Sequence, residues 1–160
     1  MTQLKIKLDL PEMVYDIQNK TYLTGKSRSD GTNHEQVANM QANDDDENAN
    51  QILRSISAAF AKLKMKLSEY LDIVDSAVSN TPISMETLME LTLNMPSNYN
   101  RSTATTLAEA AHEYVVSMAI ADWFMITDKK DSEDYSARAG ECLRVISEAA
   151  SKRLRPVRPR

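Results

Sequence analysis

Residues 103–127 read TATTLAEAAHEYVVSMAIADWFMIT, and residues 128–154 continue DKKDSEDYSARAGECLRVISEAASKRL. The first run sets Leu107, Ala111, Tyr114, Met118, Ala121 and Met125 at three- and four-residue spacing, one stripe of an α-helix. Val115, Ile120, Trp123 and Phe124 widen that stripe. So wide an apolar face implies contact on more than one side. One side is the chain's own core; the other is an interface, because Trp, Tyr and Met are enriched in binding patches. Tyr114, Trp123 and Phe124 are therefore candidate partner-contact residues. Ser102 or Thr103 suits the cap of this helix, which is expected near 103–126.

The second run sets Tyr135, Ala139, Cys142, Val145, Ile146 and Ala149 on one stripe. Asp131 is a good N-cap, with Asp134 in a capping-box-like position, so a helix is expected near 132–154. The short turn from Thr127 to Lys130 makes the two helices antiparallel neighbours. Pro156 and Pro159 forbid continuation, which leaves 155–160 as an extended tail.

Working outward, residues 4–10 alternate strictly: Leu4, Ile6, Leu8 and Leu10 face one way, Lys5, Lys7 and Asp9 the other. Residues 88–95 do the same with Met89, Leu91, Leu93 and Met95. Each run ends at a proline, Pro11 or Pro96. Both read as half-buried strands of equal period, expected to pair with each other, antiparallel, with the apolar side on the helices. The alternative is that each completes a sheet with a neighbouring copy. Pro11 also suits the start of a short helical segment over 12–18, with Gly25 as its stop. Residues 26–43 are polar and read as a long surface loop.

A third long helix is expected near 45–74, where Leu53, Ile56, Phe60, Leu63, Leu67, Leu71 and Val74 follow helical spacing. Arg54, Lys62, Lys64 and Lys66 lie mostly off that stripe and read as a solvated face. Asp44, Asp45, Asp46 and Glu47 precede the helix, where acids complement its dipole. A metal cluster would need a second acidic pair nearby. Asp72 and Asp75 stand about 40 Å further along the same helix, so a helical acidic-metal hydrolase is not expected. His112 has no second histidine at zinc-hydrolase spacing, and His34 sits alone in the polar loop. No catalytic residue, metal site or cofactor is expected.

The chain has 160 residues, one domain's worth, enough to bury a core without metal or disulfide. Three glycines and a helix-favouring composition disfavour a sandwich or barrel. The fold expected is mainly α: a three-helix bundle with a two-stranded β ribbon over residues 1–154, followed by the tail. The lone cysteine, Cys142, excludes an internal disulfide and reads as a small buried hydrophobe. No run is long and apolar enough for a membrane span, and no signal-peptide core is seen, so no membrane partner is expected. Lys152, Arg153, Arg155, Arg158 and Arg160 are all positive. Taking those five from a net charge of -4 leaves about -9 on an acidic body. The four tail arginines join the candidate contact residues.

Several segments together resemble small structural proteins of tailed bacteriophages and prophages, of the head-tail connector or neck type. They are Met-Pro-Ser-Asn-Tyr-Asn at 95–100, Tyr114 with Ala-Asp-Trp-Phe at 121–124, and Thr-Asp-Lys-Lys at 127–130. Tyr135 opens the last helix, which runs into Arg-Leu-Arg-Pro-Val-Arg-Pro-Arg at 153–160. Lys-Leu-Asp-Leu-Pro at 7–11 and Gln-Asn-Lys-Thr-Tyr-Leu-Thr-Gly at 18–25 have the same flavour. The resemblance implies a ring-forming, non-enzymatic adaptor in the virion, made in the bacterial host cytoplasm. Copies would contact one another, the portal, and tail or neck proteins. The tail would enter an acidic groove on a partner or lie near packaged DNA. The 26–43 segment departs from the pattern and leaves adaptor, tail-completion and other neck roles open. From the residues alone, the competing reading is a nucleic-acid-binding or regulatory module using the tail and the Lys62–Lys66 face.

Overall fold

A computed structural model describes residues 2–43, 45–72, 78–81 and 83–159. Its elements run β1 (Thr2–Leu8), α1 (Leu10–Ser27), α2 (His34–Met40), α3 (Asp46–Lys66), β2 (Met89–Met95), α4 (Ala104–Thr127) and α5 (Lys129–Ser151). The fold is mainly helical with a small antiparallel ribbon, as the hydrophobic pattern predicts. Two helical features go beyond that pattern, α2 and the full length of α1.

The ribbon forms because its alternation lets one face be buried whole. β1 and β2 pair antiparallel, with Leu4 opposite Leu93, Ile6 opposite Leu91 and Leu8 opposite Met89. All six side chains are buried, while Lys5 and Lys7 stand in solvent. The strands thus pair with each other. Leu10, expected in the strand, opens α1 instead and is buried. The Asp9 side chain caps that helix, and Pro11 sits in its first turn.

The other edge of β2 is covered by the segment after α3. Asn94 N–H donates to Tyr70 O at 2.6 Å, and Asp72 N–H donates to Thr92 O at 2.9 Å. Those bonds pull the chain out of helical geometry, so α3 ends at Lys66 rather than near 74. The apolar stripe still continues through the break: Leu67 is buried and Leu71 is bridged to Leu93. Spacing alone could not locate the end, because one apolar stripe serves both conformations. Val74 and Asp75 lie outside the described residues.

α1 runs through Gly25 instead of stopping there. Its buried line is Leu10, Met13, Ile17, Thr21 and Gly25. The last two are not apolar markers, which hides the helix from a hydrophobicity reading. Thr21 Oγ1 donates to Ile17 O at 2.8 Å and accepts from Ala42 N–H at 3.0 Å. At Gly25 a β-carbon would lie 3.0 Å from Val37 O and 3.4 Å from Met40 Cβ. Glycine lets α2 lie directly on α1. The 26–43 segment is therefore not one long loop. It carries α2, buries Met40 and Ala42, and turns at Gly31, whose φ is +87°.

α4 is the centre. Leu107, Ala111, Val115, Val116, Ile120 and Phe124 are all fully buried, and they lie around most of its circumference. α1, α3, α5 and β1 all pack on it. α5 is tied to α4 near both ends: Thr103 Oγ1 donates to Ala149 O at 2.9 Å, and Ser132 Oγ donates to Ala121 O at 2.8 Å. Asp128, not Asp131, caps α5, accepting from Lys130 N–H and Asp131 N–H. Asp131 is buried instead, and Arg28 at the end of α1 grips it through Nη2 and Nε. Burial pushes the Asp131 carboxyl up. The Arg28 hydrogen bond, the Asp128 bond and the Arg28 charge outweigh that and hold it below the ordinary carboxylate range.

The sign of its pH dependence follows. A depressed folded pKa contributes stability above the unfolded value, and that contribution disappears as pH falls through the folded value. Asp131→Asn should lower Tm by a few degrees at neutral pH, and the gap from the parent should close in acid. Thermal melts across a pH series check this.

Candidate functional site

The residues singled out from sequence fall in two places. Tyr114 and Phe124 are inside the core, 2 % and 0 % exposed. Phe124 packs on Tyr135 with ring centroids 5.6 Å apart. Burial, then the charge of Asp122, pushes the Tyr114 hydroxyl up. Trp123 is half-buried, and its Nε1 donates to Met40 O at 2.8 Å. The wide apolar face of α4 is thus spent on the chain's own helices, α2 included, rather than kept for a partner. That corrects the interface reading of Tyr114 and Phe124, while Trp123 keeps part of its surface exposed. α2 was the missing cover, and its polar sequence gave no hint of it. Met125 and Ile126, at the end of α4, are the ones left in solvent.

The basic residues behave differently. Arg153 is half-buried, its backbone bridged antiparallel to Tyr99 and its Nη1 donating to Ala150 O at 3.0 Å. Leu154 N–H donates to Asn98 O at 2.7 Å. The root of the tail is therefore fixed. Beyond it Arg155, Pro156, Val157, Arg158 and Pro159 are all exposed, and Val157 is 93 % exposed. Arg160 lies outside the described residues. The tail offers cations and apolar side chains together, on a segment that two prolines keep extended.

A second feature was not found from sequence. α4 and α5 face one another through Thr106, Ala110 and Glu113 on one side and Arg138, Cys142 and Val145 on the other. The small side chains of Ala110 and Cys142 leave a groove of about 400 Å³ between the helices. It continues past Thr106 and Val145 into a smaller hollow of about 200 Å³ bounded by Glu148, Ala149 and Lys152. Its rim carries four glutamates, Glu109 and Glu113 from α4 and Glu141 and Glu148 from α5, against two cations, Arg138 and Lys152. Glu113 also meets Lys20 of α1 at 3.1 Å and Arg138 at 3.5 Å. The i, i+3, i+4, i+7 spacing on both helices was visible in the sequence. The facing arrangement needed the register between α4 and α5.

Several other polar groups join elements of the fold. His112 Nε2 meets Asp16 Oδ2 at 2.6 Å, linking α4 to α1. Asp122 sits between α3 and α4, and burial pushes its carboxyl up against the lowering effects of Lys62 and a Ser55 hydrogen bond. Asp46 and Glu47 occupy the first turn of α3. Lys62, Lys64 and Lys66 are exposed, with Lys64 lying over the Phe60 ring. Cys142 lines the groove, and burial, then the charge of Glu113, pushes its thiol up, which does not suit a nucleophile. Among the described residues no group of three or more His, Cys, Asp or Glu could hold a metal, and no helix is long and apolar enough to cross a membrane.

No family model, no curated protein and no solved structure matches this chain.

The Trp123 contact is directly testable. Trp123→Phe keeps the ring packing and loses the bond to Met40 O. It should cost about 1 kcal/mol. The loss should be local, with hydrogen exchange speeding up across 34–42 while the ribbon stays protected.

Proposed function

We propose that this chain is a non-enzymatic structural protein of a tailed-bacteriophage particle, a connector or adaptor that forms a ring at the portal vertex. The reading rests on the resemblance of 91–160 to proteins of that kind. The observation that supports it best is the tail: a root pinned by backbone hydrogen bonds to residues 98–99, then an exposed run of basic and apolar residues. A segment presented that way contributes almost nothing to its own fold. It has side chains suited to a surface that is apolar and acidic. Contacts with copies of itself, with the portal and with tail or neck proteins follow from this role, as does proximity to packaged DNA.

Removing residues 155–160 tests the division between body and tail. Tm should stay within about a degree, because exposed side chains bury little apolar area. Assembly into rings, read by native mass spectrometry and electron microscopy of the purified chain, should be lost. An unfolded truncation would contradict the division. A DNA-binding shift that falls steeply with salt and needs the same arginines would instead favour the nucleic-acid-binding reading.

A further inference from the structure

We infer that the groove between α4 and α5 is the receptor for the tail of a second copy of this chain. The inference deepens the assembly reading by naming one partner, and it rests on that reading only for the premise that copies meet.

The tail has the shape the groove needs. Arg155 and Arg158 each precede a proline and are held extended, so residues 154–159 favour a polyproline II helix. That helix has three residues per turn, which sorts this segment into ridges. Leu154 and Val157 form one ridge, Pro156 and Pro159 the second, Arg155 and Arg158 the third. Two apolar ridges can enter an apolar trough while the third stays at its edge. The edge is where the glutamates are: Glu109, Glu113, Glu141 and Glu148. Arg144 and Lys152 already neighbour Glu141 and Glu148, and Arg138 neighbours Glu113; those cations are exposed, so these pairs are weak and exchangeable, while the part-buried Lys20–Glu113 pair stays in place.

The lengths agree. Six residues of polyproline II span roughly 19 Å. The groove follows α5 from Arg138 to Lys152, about 21 Å at the helical rise.

The occupant is a second copy because the chain's own tail is directed elsewhere. The Arg153–Tyr99 bridge and the Leu154 bond to Asn98 carry it along residues 98–99. Turning back into its own groove would need a reversal at Arg155, the residue that Pro156 keeps extended. Head-to-tail contacts of this type are heterologous, and they close into a ring when the rotation between copies allows it.

The test uses the full chain. Sedimentation over a concentration series should show self-association. Thr106→Arg puts a bulky cation at the exposed junction of the two hollows, where it should not disturb folding. It should weaken association by at least about tenfold. Leu154→Asp with Val157→Asp should do the same from the other side. Val157→Cys, mildly oxidised, should give an intermolecular disulfide to Cys142, identified by mass spectrometry of the linked peptides. Association that survives Thr106→Arg, or a chain that stays monomeric throughout, overturns the inference. Rings present in particles without the Cys142 link would overturn it and leave the assembly reading standing. The link in a chain that never enters particles would uphold it and remove the phage reading.

Discussion

The helix with an apolar side chain facing nearly every direction governs the structure. α4 cannot leave such a surface in water, at roughly 25 cal/mol for each Å² of apolar area buried. Everything else is arranged to cover it: α5 along one side, α3 and α1 on others, β1 on another. The ribbon depends on the same surface, because two strands alone are marginal and need a hydrophobic backing. α2 closes the last gap, held by the indole of Trp123 and by the glycine at position 25.

This dependence explains what could be read from the residues. β1, β2, α4 and α5 were legible because their side chains repeat at a clean period and their neighbours are turn formers such as Pro11 and Pro96. α1 was legible only in part. Its buried line runs from apolar residues to Thr21 and Gly25, which carry no hydrophobic signal yet pack as tightly as any leucine. α2 was not legible, since seven residues with only Val37 and Met40 as sizeable apolar side chains look like loop. The end of α3 was misplaced because Leu67 and Leu71 fit a helix and a strand edge equally well. Local pattern identifies which residues are buried more reliably than it identifies the backbone that buries them.

The same distinction separates the site from the core. Width of an apolar face was a poor guide to a partner surface, because Tyr114 and Phe124 were answered from within the chain. Charge and proline placement were better guides. The tail arginines past the root remain outside the fold, as the two prolines dictate, while Arg153 is drawn into it by Tyr99. The groove arises from a contrast that sequence states only residue by residue. Small side chains at Ala110 and Cys142 leave space between helices that Ser132 and Thr103 hold together near their ends.

On this account the body is a self-sufficient core, and its groove and tail serve assembly. The ionic contacts at Arg28–Asp131, His112–Asp16 and Lys20–Glu113 each join one helix to another. The most direct measurement is quantitative proteomics on particles purified from the source system, giving the copy number of this chain relative to the major coat protein. The account predicts that the chain is present at a low, ring-like stoichiometry. Its absence from particles would contradict it.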